Sequence, residues 1–227
     1  ISASDVLTKL KERGADMSHS LHRRGSMESL RHDYLLLVTA ASGINSANSK
    51  EKLRRVLDLV WEIGPINTGS NEVGTILSGV SVEEIKAGFT EVPRVRCVFD
   101  SEEKMREIIG RLIEMDLGIS VTVSGPRAEV EKMCRDFGIK PHSANFSLDI
   151  WGRREKLPPE EILEFITMCG HGMISKALVV DTIERVKAGK MTPEEGAVRM
   201  GSPCVCGFFN PTRAIMALEK YVPKEES

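Results

Sequence analysis

The sequence predicts an α/β or α+β fold: a sheet of about four strands with helices packed on it, then a C-terminal helical segment. Three observations carry this. Apolar strand-like runs alternate with amphipathic stretches between residues 33 and 151. The periodicity turns wholly helical after the charged, proline-marked run Gly152 to Pro159. With 41% apolar and 28% charged residues in 227, the chain has an ordinary globular composition. The order strand, helix, strand, helix, strand, helix, strand points to a ferredoxin-like two-layer sandwich or a small three-layer variant. The expected divisions are 1–32, an N-terminal helix and basic loop; 33–151, the sandwich; and 152–227, the helical segment.

Residues 2–13 read as a short helix stopped by Gly14. Asp33 to Ala40 is apolar nearly throughout, as a strand buried on both faces must be. A small-residue loop follows, and then Leu53, Val56, Leu57, Val60 and Ile63 mark one face of a helix over 50–63. Gly64 to Gly79, rich in Gly, Asn, Ser and Thr, reads as a mobile connection. Ser81 to Glu84 is a capping box opening a short helix. Arg94–Phe99 alternates as a strand, a helix capped by Asp100 or Ser101 follows, and 118–123 alternates again. Pro126 suits the first turn of a helix running to Phe137. Residues 143–151 complete the expected strands. Leu35, Leu37, Val95, Val121, Val123, Phe146 and Leu148 are the expected shared core. Helices are expected at 159–167 and 173–188, and after the caps Thr192 and Asn210.

Composition narrows the function. A net charge of −2 gives no field for nucleic acid or an acidic membrane, and 5% aromatic content is too little for a base-stacking surface. No apolar run has the length of a membrane span. Five cysteines, an odd number, do not make a disulfide framework. Reduced cysteines in the cytoplasm are expected. A homo-oligomer is compatible with all of this.

The candidate site is Met168-Cys169-Gly170-His171-Gly172-Met173 together with Pro203-Cys204-Val205-Cys206-Gly207. Three thiols and an imidazole on glycine turns can close a tetrahedral zinc site or hold an iron–sulfur cluster, with Cys169, His171, Cys204 and Cys206 as ligands. Helices starting just after each turn would favour thiolates. Alternatively Cys169 is a nucleophile or acid/base residue beside His171, or Cys204 and Cys206 form a labile disulfide. Buried inert thiols in a regulatory or interaction protein are the bland alternative. His19, His22, Arg23 and Arg24 are the candidate donors to an anion, with Asn45 and Asn48 as second choices. The expected function is an intracellular metal- or iron–sulfur-binding protein that binds or acts on a small anionic metabolite. The alternative is a cysteine-dependent enzyme.

Met168-Cys169-Gly170-His171-Gly172 resembles the catalytic cysteine motif of the proline racemase family. There such a cysteine moves a proton at the substrate α-carbon, and the adjoining helix end holds the carboxylate. The resemblance implies acid/base chemistry for Cys169. It covers this stretch alone: that family's second lobe and second catalytic cysteine have no counterpart, because the sequence shows no internal repeat.

Overall fold

The structure is a computed structural model describing residues 23–145 and 150–223. The expected helix at 2–13 and the residues His19 and His22 lie outside the described residues. The chain folds as an α+β sandwich around a five-stranded sheet of order β3-β2-β4-β1-β5. Its strands are β1 (Tyr34–Thr39), β2 (Asn67–Ser70), β3 (Gly74–Thr75), β4 (Arg94–Phe99) and β5 (Ser120–Ser124). Every neighbouring pair is antiparallel.

A short helix, α1 (Met27–Leu30), leads into β1. Helices α2 (Ser49–Ile63) and α4 (Glu102–Met115) are the two crossovers, with the capped α3 (Val82–Ala87) between β3 and β4. Each crossover returns the chain past an intervening strand: β4 lies between β1 and β2, and β1 lies between β4 and β5. This is the expected split βαβ arrangement. Helix α5 (Arg127–Asp136) follows β5. The C-terminal helices are α6 (Glu160–Ile166), α7 (Lys176–Lys187), α8 (Pro193–Gly201) and α9 (Pro211–Glu219).

Strand alternation sends side chains to two faces. Leu36, Val38, Val95, Cys97 and Phe99 bury against Leu53, Val56, Leu57, Ile108 and Leu112 of α2 and α4. Leu35 and Val98 face the other way, onto Phe165, Ile183, Met200, Phe208 and Leu218 of the helical segment. The expected single core is therefore divided: Leu35 and Leu37 belong to the helical side, Val95 and Val123 to the crossover side, and Val121 is 41% exposed.

Two further expectations are corrected. The stretch read as a mobile connection holds β2 and β3, with β2 buried throughout. Asn67-Thr68-Gly69-Ser70 carries no apolar residue, so hydrophobic periodicity could not reveal it. Its place depends on small residues that let another backbone come close. At 143–145 no strand forms and the side chains are exposed, while 146–149 lie outside the described residues.

Candidate functional site

The first cysteine turn leaves the end of α6. Cys169 N–H donates to Ile166 O at 3.3 Å, and Gly172 N–H returns to Cys169 O at 3.1 Å, with φ of +67° at Gly172. The second leaves α8, with Cys204 N–H donating to Gly201 O at 2.9 Å. Gly207, at φ +82°, lies flat on β2: a Cβ there would run into the Thr68–Gly69 backbone. Gly69 reciprocates, since its own Cβ would stand 3.0 Å from Val205 O. Two glycines thus let a turn and a strand meet backbone to backbone.

This packing gathers all four residues. Cys204 Sγ lies 3.8 Å from Cys206 Sγ, and Cys204 is also the strongest influence on the acidity of Cys169. His171 acts electrostatically on Cys206. The three sulfurs are buried and reduced, at 4%, 0% and 1% exposure for Cys169, Cys204 and Cys206, while His171 is exposed. They form an open string, Cys169–Cys204–Cys206–His171. Among the described residues, no three His, Cys, Asp or Glu side chains are already disposed about one point to hold a metal ion.

The string alternates in acidity. The Cys204 hydrogen bond, with backbone N–H groups of Met173 and His171, outweighs burial and brings Cys169 down to about 6. The same donor, Phe208 N–H and His171 bring Cys206 down to about 5. Cys204 is pushed up by its bonds to Cys169 and then Cys206. It has one S–H and can donate to only one neighbour at a time, so the two outer thiolates compete for it.

Helix ends play a smaller part than the sequence suggested. The cap of α7 is Ser175 and that of α9 is Asn210, and each side chain takes a first-turn N–H of its own helix, from Leu178 and Arg213. The thiolates are stabilised by Cys204 first and then by turn N–H groups.

The basic loop adjoins these turns. Arg23 is fully buried, forms a bidentate pair with Asp33 at 2.5 and 2.6 Å, and donates to Met168 O at 2.6 Å and Phe208 O at 3.2 Å. One guanidinium thereby ties both cysteine turns to the start of β1. Arg24 N–H donates to Thr167 Oγ1 at 2.9 Å, beside the first turn. Arg23 is therefore wholly engaged in structure, and Arg24 is engaged through its backbone and a 3.9 Å ion pair with Glu160. Asn45 and Asn48 sit in the loop after β1, where Asn45 bonds Gly118 O and Ala41 N–H. None of that loop's hydrogen bonds among the described residues reaches the cysteine turns.

Sequence reading missed the partners of Arg23. Arg213 donates to Asp33 at 2.6 Å, to Ser29 Oγ at 2.9 Å and to Arg24 O at 2.5 Å, with Glu164 at 3.5 Å. Asn210 adds a bond to Asp33 at 2.8 Å. It also missed Arg96, which is 6% exposed on a strand whose alternation could have flagged it. Asn67, also buried, donates to Phe209 O at 2.9 Å, while its Oδ1 has no hydrogen-bond partner among the described residues. The chain matches no known family model, no curated protein and no solved structure.

Proposed function

We propose that Cys169, Cys204, Cys206 and His171 bind one soft metal ion of the zinc type. The observation that supports this best is the 3.8 Å separation of the Cys204 and Cys206 sulfurs. Tetrahedral zinc with Zn–S of about 2.3 Å requires neighbouring sulfurs about 3.8 Å apart. Sulfurs in mutual contact suit a single ion better than a cubane cluster, whose cysteines serve separate irons. Binding replaces the shared Cys204 proton and relieves the crowding of buried negative charge. The open string then closes when His171 turns inward from its exposed position between Gly170 and Gly172.

The test is metal content of protein purified under reductant, followed by cobalt substitution. One equivalent of zinc, and cobalt spectra with thiolate charge-transfer and tetrahedral bands, are expected, both lost in Cys204→Ala. A variant His171→Ala should weaken binding without abolishing it. No metal and no cobalt bands would overturn the reading. Alkylation of Cys169 below pH 7 in such a protein would then favour thiol catalysis, which the lowered pKa of Cys169 also suits.

A further inference from the structure

Three buried guanidiniums lie on the helical side of the sheet, and they are treated differently. Arg23 and Arg213, at 1% and 0% exposure, have their donors taken by Asp33, Ser29 and main-chain carbonyls. Arg96, at 6% exposure, makes no side-chain hydrogen bond or ion pair with any described residue. The Cys206 thiolate is the main opposite charge acting on it, and its guanidinium nitrogens keep contact with solvent, so the fork stays open to an added anion. The same layer shows that this fold satisfies a guanidinium fully where its role is structural.

Register places Arg96 at the site. It pairs across the sheet with Leu37, which packs on the helical core, so both side chains project toward the cysteine turns. Thr68 pairs with Cys97, which sets Gly69 alongside Arg96 and brings the Val205 backbone over it. The charged groups facing Arg96 are Cys206, Arg94 and Glu72. Glu72 is already engaged with the Ser70 hydroxyl. Arg94 adds a second positive charge at the exposed start of the same strand.

We propose that Arg96 anchors an oxyanion subsite beside Cys206, so that the thiol cluster serves a ligand carrying a carboxylate or phosphate group. A guanidinium offers five N–H donors in a planar fork that matches either group bidentately. The ligand's oxyanion lies on Arg96, and its remaining atoms extend toward Cys206 and exposed His171. This rests on the cysteine cluster being the functional site, and not on which metal, if any, it holds.

The experiment is thermal unfolding of the reduced protein as purified, in chloride, acetate or inorganic phosphate at one ionic strength. It compares wild type with Arg96→Met and Arg96→Lys. Wild type should gain stability in acetate or phosphate over chloride, and Arg96→Met should lose that gain, its anion affinity falling by about tenfold or more. A response to phosphate alone assigns a phosphoryl ligand, and a response to acetate assigns a carboxylate. In chloride, Arg96→Met should be about as stable as wild type, because no side-chain hydrogen bond or ion pair to a described residue is lost. The proposal is overturned if wild type shows no preference over chloride, or if Arg96→Met keeps it. It is also overturned if Arg96→Met is destabilised in chloride and Arg96→Lys restores it, which would make Arg96 structural. Metal content, measured on the same samples, reports separately on the cluster.

Discussion

Replacing Asp33 by Asn should damage this protein more than any other single change of one atom type. Asp33 is fully buried, and its two oxygens divide four donors. One oxygen takes Arg23 Nε and Arg213 Nη1, and the other takes Arg23 Nη2 and Asn210 Nδ2. Whichever way an asparagine amide is turned, its NH2 faces two donors. Two guanidiniums also lose their shared countercharge, leaving Glu164 at 3.5 Å from Arg213 as the remaining carboxylate. Breaking a buried pair from one side costs about 3–5 kcal/mol, and Asp33→Asn belongs at the upper end. That is a third or more of the stability of a typical domain. Arg23→Met should cost less, about 2–3 kcal/mol, because Asp33 keeps Arg213 and Asn210 while only the Met168 and Phe208 carbonyls lose a donor. Urea unfolding at pH 7 under reductant, followed by circular dichroism, measures both. Acid adds a check of sign. Burial raises the pKa of Asp33, but Arg23, Arg213 and Asn210 together outweigh it and hold the carboxyl below its ordinary value. Its contribution is therefore present above about pH 3.9 and is lost as pH falls through the lower folded value. Asp33→Asn should flatten that acid limb. A cost under about 1 kcal/mol, or a larger cost for Arg23→Met than for Asp33→Asn, would refute the reasoning.

Gly207→Ala should cost about 2 kcal/mol or more beyond Gly152→Ala in urea unfolding. Both have positive φ, but only Gly207 would drive a Cβ into the β2 backbone, whereas Gly152 faces open space. Equal costs would mean that β2 and the cysteine turn are not in close contact. Iodoacetamide labelling of Cys169 in metal-free protein should rise with a midpoint near 6, because the Cys204 hydrogen bond favours the thiolate. In Cys204→Ala that midpoint should move toward an ordinary thiol value of about 8.5, and an unmoved midpoint would show that Cys204 is not the donor.

The fold was legible wherever burial follows a period. Tyr34–Thr39, the α2 face with Leu53, Val56 and Val60, and the Thr192 capping box all announce themselves through apolar spacing or cap chemistry. β2 was not, because its role is to be small. Nor was the helical layer's polar centre: Asp33 reads as the start of an apolar strand, and Arg213 as one more charge on a helix. Their pairing spans 180 residues, and no local pattern encodes it. The cysteine turns stood out because Cys, His and Gly are unusual together. What their spacing could not reveal is the middle position of Cys204, which shares hydrogen bonds with the sulfurs on either side.

The Arg23 clamp and the thiol string act through the same stretch of backbone. The Phe208 N–H helps hold the Cys206 thiolate, while the Phe208 carbonyl accepts from Arg23 at 3.2 Å. The next carbonyl, of Phe209, accepts from Asn67, and Asn210 then caps α9 while bonding Asp33. Three consecutive residues are thus fixed by buried polar side chains from β2, the residue just before β1 and the segment before α1. On the other turn, Arg23 fixes the Met168 carbonyl immediately before Cys169. The sulfurs belong to turns whose carbonyls are anchored to the sheet, so their spacing follows from the buried ion network rather than from contacts among the sulfurs. A site held this way can lose a proton or gain a ligand without losing its framework, and His171, outside that framework on its glycine turn, is the member left to adjust.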